Sequence, residues 1–317
     1  MTGSTVALTN DLATTAVTKP SRRPRGVGLR RALVPFGYLS PTAVLLLVLM
    51  VTPIVMVVVY SMLDNVIIQK SSEFVGLANF SAILADDVFL IAVRNTLVFT
   101  TASVVVHIVL GLAFATLLNS PALGPRVLAA FRVLLVLPWL FTVAIIAVLW
   151  RMLMASNGAI NYLLTSSGLA SQNIEWLATP GTALFAVTLI NIWAGYPFYM
   201  ISLLAGLQGI PNELYEAATV DGAGAVQKFS YITIPQLRPL LISLMLLDFI
   251  WTSQQFPLIW MTTGGGPINA TQVLSTYTYK FAFSSYEFSM ASASAVIILA
   301  FSMVLAVFYA RAQRARD

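Results

Sequence analysis

The stretch ELYEAATVDGAGAVQKFSYITIPQLRP, residues 213–239, is polar and rich in small residues, although it lies between two long apolar blocks. A helix can begin at Pro211, and acidic side chains such as Glu216 fall in its first turns, where negative charge suits the helix dipole. Gly222 permits a sharp turn, and a second short amphipathic helix is predicted to run up to Pro235. We therefore predict a helix–turn–helix that lies flat beneath the apolar blocks and presents a projecting surface to a protein partner.

The composition predicts a membrane protein. Hydrophobic residues make up 58% and charged residues 9% of the chain, whereas about 25% of a typical soluble domain is charged. Blocks long enough to cross a bilayer as helices occupy residues 37–63, 91–118, 127–151, 181–207, 238–262 and 288–310. Because only helices satisfy their backbone hydrogen bonds over such lengths in lipid, we expect an all-α membrane protein with six transmembrane helices.

The distribution of basic residues predicts the orientation of the chain. Thirteen of the 17 Lys and Arg residues fall in the two termini and the even-numbered connections. Short segments rich in Lys and Arg stay in the cytoplasm, so both termini are expected there. The basic clusters are interpreted as retention and lipid-contact charges, with no nucleic-acid partner. We expect a flexible basic cytoplasmic tail over residues 1–34, a transmembrane domain over 35–311 with a loop at 207–237, and a C-terminal tail over 312–317.

Two of the predicted spans carry polar and aromatic side chains along one helical face. Such groups are costly in lipid unless they face a cavity or a partner subunit, and both alternatives stay open here. Together they offer hydrogen bonds for hydroxyl groups and aromatic faces for C–H surfaces, as a sugar requires. The residues are Asn191, Gly195 and Phe198 in the fourth span, and Asp248, Trp251, Thr252 and Gln255 in the fifth. Gly195 and Pro197 also predict a local opening of the fourth helix.

His107, the only histidine, lies in the middle of the second span. An ionisable residue at that depth is a functional candidate. Since no carboxylate lies near it in the sequence, a packed or hydrogen-bonded neutral imidazole is favoured over a proton relay. Pro138 predicts a kink in the third span, and Arg151 is expected at the outer end of that span. The acidic step Asp86-Asp87 is interpreted as solvated.

No arrangement of residues typical of an enzyme is found. The chain has no HExxH or GxSxG motif, and it has no Gly-Lys dipeptide, which excludes a Walker-type phosphate loop. The absence of cysteine excludes disulfides, thiol nucleophiles and sulfur-ligated metals. We therefore expect no catalytic residues, no metal site and no cofactor bound by this chain.

Four sequence features resemble those of a known family. Glu216-Ala217-Ala218, followed by Gly222 after three residues and by Ile234-Pro235, resembles the EAA loop of ABC-importer permeases. Ile234 replaces the Leu usual in that family. The triplet at 221–223, the phrase TGGGPINAT at 263–271 and the phrase FVGLANF at 74–80 resemble the carbohydrate-importing branch. The resemblance covers roughly residues 35–311.

The resemblance implies a type I ABC importer permease fold in which the loop is a cytoplasmic coupling helix. In that family the loop docks into a cytoplasmic ATPase, which assigns ATPase coupling to Glu216, Ala217, Ala218, Asp221, Gly222, Ala223 and Pro235. In maltose-type permeases the sugar is held by stretches that match the two polar faces. The seven residues of those faces are thereby assigned to the substrate pathway.

The resemblance also implies the partners and location of the chain. These are a second permease subunit, an ATPase dimer that binds ATP and Mg²⁺, an extracytoplasmic solute-binding protein, membrane lipid and a sugar-like substrate, in a bacterial inner membrane. Import of a glycerol phosphate or glycerophosphodiester by the same machinery is the main alternative. An ion-coupled secondary transporter that uses Asp248 or His107, and a membrane scaffold or receptor, are the alternatives from other classes.

Overall fold

The computed structural model describes residues 38–64, 66–67, 72–120 and 124–314, so the predicted N-terminal tail lies outside the described residues. Residues up to Ile54 and residues from Val55 onward form two separate compact units. The helices of the described residues are α1 (Tyr38–Tyr60), α2 (Ala78–Leu84), α3 (Asp87–Leu118), α4 (Pro125–Leu140), α5 (Val143–Leu153), α6 (Ala159–Ser166), α7 (Pro180–Gln208), α8 (Asn212–Val220), α9 (Ala225–Ser253), α10 (Pro257–Thr262), α11 (Leu274–Phe283) and α12 (Phe288–Arg314).

Within the described residues, α1, α3, α7, α9 and α12 are each long and apolar enough to cross a membrane. The pair α4 and α5 supplies a sixth span if both helices are counted together, but they meet at an angle of 99°. The predicted kink in the third span is therefore confirmed, although at 99° it divides residues 127–151 between two helices. The break follows Pro138: Phe141 has an extended backbone, and the Thr142 hydroxyl accepts a hydrogen bond from the Ile145 N–H at the start of α5.

The fifth span also differs from its prediction. α9 begins at Ala225, inside the polar loop, and continues to Ser253, whereas residues 257–262 form the separate helix α10. A π-helical turn at Phe229–Thr233 keeps α9 continuous as it approaches Pro235, which has no N–H to donate. The second short amphipathic helix is therefore not an independent element, because it is the first part of α9.

The core is built around the crossing of α3 and α7. A Cβ on Gly111 would overlap the Tyr199 side chain and would lie 3.1 Å from the Met200 backbone nitrogen, so the glycine permits close approach. α7 runs without interruption from Pro180 to Gln208. The predicted opening of this helix at Gly195 and Pro197 is therefore wrong.

The glycine-rich phrase after α10 is held in place by the start of α3. The Asn95 side-chain nitrogen donates to the carbonyl oxygens of Asn269, Ala270 and Gln272 at 3.2, 3.1 and 3.0 Å. Nearby, the half-buried Lys280 donates to the Gln272 side-chain oxygen at 2.6 Å, and its partial burial lowers the pKa of this lysine. Three contacts from one buried amide fix the path of the loop.

Asp86 is not simply solvated, as had been predicted. One of its carboxylate oxygens accepts from the Val88 N–H at the start of α3, and the other accepts from the Tyr277 hydroxyl at 2.6 Å. Burial raises the pKa of Tyr277, and the bond to the carboxylate raises it further. The acidic step therefore joins α3 to α11.

Candidate functional site

A cavity of about 420 Å³ lies between α3, α4, α5, α7 and α9. All seven side chains of the two predicted polar faces line it, so the structure brings together residues that are up to 64 positions apart. They are Asn191, Gly195, Phe198, Asp248, Trp251, Thr252 and Gln255. The cavity wall is mixed: His107 on α3 and polar groups on α7 and α9 lie among aromatic side chains from α4, α7 and α9 and aliphatic side chains from α5.

The polar part of the wall is centred on Asp248. One carboxylate oxygen lies 2.8 Å from His107 Nδ1, and the other accepts a hydrogen bond from the Thr252 hydroxyl, also at 2.8 Å. The other ring nitrogen of His107 lies 3.2 Å from the carbonyl oxygen of Asn191. His107 is thus hydrogen-bonded, as favoured from the sequence, but its partner is a carboxylate 141 positions away that sequence proximity could not reveal.

The imidazole ring is fixed by close packing on α7. A Cβ on Gly195 would overlap the ring of His107, and the ring of Tyr199 lies 5.7 Å away between centroids. Gly195 was predicted to open the helix, whereas its effect in the structure is to make room for the histidine. This glycine therefore positions the pair formed by His107 and Asp248.

Aromatic side chains form the opposite part of the cavity wall. The ring centroid of Phe198 lies 6.3 Å from that of Trp139 and 5.9 Å from that of Trp251. Trp139 and Phe141 come from the bent pair α4 and α5 and were missed as lining residues in the sequence analysis. The signal that could have found them is Pro138, because a proline kink in a span exposes neighbouring side chains to a cavity.

Gln255 reaches the cavity in a different way from its prediction. α9 ends at Ser253, so Gln255 does not continue the helical face. Its side-chain nitrogen donates to the Asn191 side-chain oxygen at 3.4 Å, and its backbone carbonyl accepts from the Ser275 hydroxyl at 2.7 Å. The Asn191 side-chain nitrogen is buried and has no hydrogen-bond partner in the described part of the chain.

The predicted coupling residues form a second, exposed site, which we call the loop surface (residues 211–235). α8 ends in a turn in which the Gly222 N–H donates to the Thr219 carbonyl and the Ala223 N–H donates to the Ala218 carbonyl. Gly222 has a φ of +77°, so this prediction of a sharp turn is confirmed. Glu216, Ala217, Asp221, Gly222 and Pro235 are exposed, and Ala218 and Ala223 are half-buried.

The loop surface is attached to α9 by side-chain hydrogen bonds. The Tyr215 hydroxyl lies 2.9 Å from that of Thr233, and Lys228 donates to the Thr219 hydroxyl at 2.7 Å. A concave surface of about 260 Å³ opens beside the turn, between the end of α8 and the start of α9. α8 and α9 are therefore joined at both ends of this concave surface. Among the described residues, no cluster of three or more His, Asp or Glu side chains could hold a metal ion.

Comparisons with known proteins relate this site to a family. Residues 107–316 match the family described as binding-protein-dependent transport system inner membrane component. A probable ABC transporter permease protein of Brucella suis is 35% identical over 89% of this chain and 97% of its own length. The trehalose/maltose transport system permease protein MalF of Thermococcus litoralis is 34% identical over 87% of this chain and 92% of its own length.

A solved structure has the same fold. A chain from a bacterial ABC transporter involved in the import of the acidic polysaccharide alginate superimposes with a TM-score of 0.78. The match covers 91% of this chain and 98% of the other, at 22% sequence identity. The all-α membrane fold with a type I importer architecture, expected from the sequence, is thereby confirmed.

Proposed function

Because this chain belongs to the family of binding-protein-dependent transport system inner membrane components, we propose that it forms half of a translocation pathway for a sugar or sugar-like solute in an ATP-driven importer. It is a transport subunit of a bacterial inner membrane and not an enzyme. The observation that carries the substrate proposal is the meeting of all seven predicted pathway residues in one cavity. That cavity combines hydrogen-bonding groups with aromatic faces.

The cavity chemistry supports an uncharged solute over the alternative of a glycerol phosphate or glycerophosphodiester. None of the described residues that line it is Lys or Arg. Phosphate recognition in proteins relies on such cations or on backbone N–H groups at helix N-termini. The two ionisable side chains of the wall, His107 and Asp248, already contact each other at 2.8 Å. A sugar needs only the hydroxyl partners and the aromatic faces that the wall offers.

The loop surface is proposed as the docking site for a cytoplasmic ATPase dimer, which would bind the ATP and Mg²⁺. Its small residues allow close approach: Ala217 on α8 is exposed, and Ala218 on α8 and Ala223 after the turn are half-buried. Glu216 would orient the contact through polar groups of the ATPase. Gly222 would maintain the turn that makes the end of α8 project.

The structure supports a direct mechanical route from the loop surface to the cavity. α9 is continuous from Ala225, at the loop surface, to Ser253, and Asp248 lies on it. At 1.5 Å per residue, the 23 steps from Ala225 to Asp248 correspond to about 35 Å. A displacement of α8 is passed to α9 through the Tyr215–Thr233 contact and then along one helix to the cavity wall.

The remaining partners follow from the same proposal. Both termini would face the cytoplasm, as the basic residues predict, and a solute-binding protein would deliver substrate to the outer loops. A second permease subunit would complete the pathway. Arg151 donates to the Met261 carbonyl at 3.5 Å, which places the end of α5 beside the end of α10.

The experiment that tests the transport proposal is uptake into proteoliposomes. The chain is co-purified with its partner subunits, and trehalose, maltose, an alginate oligosaccharide and glycerol 3-phosphate are offered with the associated binding protein. We expect ATP-dependent uptake of a neutral sugar that continues when an uncoupler collapses ion gradients. Uptake that stops with the uncoupler while ATP is held constant would instead indicate an ion-coupled carrier.

The coupling proposal is tested with Gly222→Pro and Glu216→Lys. Proline cannot adopt a φ of +77° and cannot donate to the Thr219 carbonyl, so the turn is lost. We expect both variants to reach the membrane and to abolish uptake. Gly224→Ala is the matched control, because Gly224 has a φ of −75° and a Cβ there would lie 3.8 Å from its nearest neighbour. Normal transport by both test variants would refute the coupling role.

A further inference from the structure

His107 is placed between two hydrogen-bond acceptors. Its Nδ1 lies 2.8 Å from a carboxylate oxygen of Asp248, and its Nε2 lies 3.2 Å from the backbone carbonyl oxygen of Asn191. The ring is 2% exposed, so water does not solvate either nitrogen freely. Each ring nitrogen must therefore be satisfied by these protein groups.

Counting protons shows what this arrangement requires. A neutral imidazole has one N–H and one bare nitrogen, and a carbonyl oxygen can only accept. If His107 and Asp248 together held a single proton, one of the two ring contacts would place two lone pairs against each other. Both contacts are hydrogen bonds only when two protons are shared, either as imidazolium with carboxylate or as neutral imidazole with carboxylic acid. In both cases the net charge of the pair is zero.

Close packing holds the His107 ring against its two hydrogen-bond acceptors, so the number of protons that the arrangement requires stays the same. Gly195 leaves no space for the imidazole to move toward α7, since even a Cβ there would overlap it. The titratable side chains beside the ring in the described residues are Asp248 on α9 and Tyr199 on α7. The Tyr199 hydroxyl is itself engaged, because it donates to the Leu244 carbonyl at 3.1 Å. No further charged side chain lines the described cavity wall.

We propose that His107 and Asp248 together hold two protons and are electrically neutral, which makes His107 the positioning residue that allows an uncharged, hydroxyl-rich solute to pass a buried carboxylate. This inference rests on the proposed sugar pathway. Without the histidine partner, the carboxylate is a buried charge that is costly in lipid and holds cations. With it, Asp248 and Thr252 offer oriented hydrogen-bond acceptors and no net charge.

The transport test uses His107→Ala, Asp248→Asn and the double variant in the assembled complex, with trehalose and maltose as probes. His107→Ala leaves a net charge of −1, and we expect uptake to fall at least tenfold. Asp248→Asn can donate to the bare Nδ1 of a neutral imidazole, so the pair stays neutral and we expect a smaller loss of uptake than in His107→Ala. The double variant removes the uncompensated charge, and we expect it to recover most of the loss.

The double variant separates charge compensation from packing. If His107 only fills space over Gly195, the cavity left by the missing ring is the same in His107→Ala and in the double variant. Uptake by the double variant that stays as low as that of His107→Ala would therefore overturn the proposal. Assembly of each variant is checked by co-purification with the partner subunits.

A spectroscopic measurement tests the proton count even if a variant fails to assemble. His107 is the only histidine of the chain, so ¹⁵N-histidine labelling of this subunit alone, purified through a tag without histidine, gives one pair of ring signals. We expect two protonated nitrogens, or a protonated Nε2 with a carboxylic acid infrared band that disappears in Asp248→Asn. A bare Nε2, or a protonated Nε2 with a bare Nδ1 and no such band, would overturn the proposal. Absence of sugar uptake by the unmodified complex would instead refute the proposed function.

Discussion

Gly195→Ala tests the cavity geometry with the smallest possible change. The new Cβ would lie 3.2 Å from the His107 Cδ2 and closer still to two other ring atoms. The ring has to retreat until these contacts reach about 3.4 Å, but its Nδ1 is held 2.8 Å from Asp248. The substitution therefore opposes the one interaction that compensates the buried carboxylate.

The expected cost of Gly195→Ala follows from two contributions to the free energy. Overpacking a filled site costs about 1–3 kcal/mol. Loss of the histidine contact leaves a buried charge without its partner, which costs about 3–5 kcal/mol in full. Because the ring can relax in part, we expect the smaller cost, that of overpacking, to apply. The free energy of unfolding should therefore fall by about 1–3 kcal/mol, and uptake should fall with it.

The assay is ATP-dependent uptake into proteoliposomes together with thermal unfolding of the purified complex. Gly181→Ala is the matched control, since it lies on the same helix and a Cβ there has no neighbour within 4 Å. We expect the control to behave as the unmodified chain does. If Gly195→Ala also transports normally and unfolds at the unmodified temperature, the assignment of Gly195 as the residue that positions His107 is refuted.

Three further substitutions probe the fold around the site. Gly111→Ala should destabilise the crossing of α3 and α7 by about 1–3 kcal/mol, measured by thermal unfolding, whereas Gly124→Ala, which meets no atom within 4 Å, should not. Asn95→Ala removes three hydrogen bonds to the 269–272 loop, and we expect faster proteolysis of that loop and a loss of about 2–3 kcal/mol. Tyr277→Phe removes the bond to Asp86 and should destabilise the chain near neutral pH. Since the folded-state pKa of Tyr277 is raised, the stability that it contributes is fully present below about pH 10 and is lost gradually at higher pH. The difference in stability between the variant and the unmodified chain should therefore shrink above that value.

Within single elements, the sequence was informative about which residues share a face. Asn191, Gly195 and Phe198 recur at helical spacing, and all of them line the cavity. Gly222 was predicted to turn the chain and does so with a positive φ. These predictions held because each depends on the geometry of one helix or one turn. Local spacing was less reliable at helix ends, since Gln255 lines the cavity from beyond the end of α9.

The sequence by itself determined the class of the protein, because 58% hydrophobic residues in span-length blocks can satisfy their backbone in lipid only as helices. It also determined the loop between α7 and α9, whose small residues and glycine set a local conformation. Pro138 indicated a kink in the third span, but tertiary structure alone decided its 99° size, the continuity of α7 through Pro197, and the pairing of His107 with Asp248. The physical reason is that propensity and periodicity act over a few residues. The rotation of each helix about its axis, and thus the partner of a buried ring 141 positions away, is set by packing between helices.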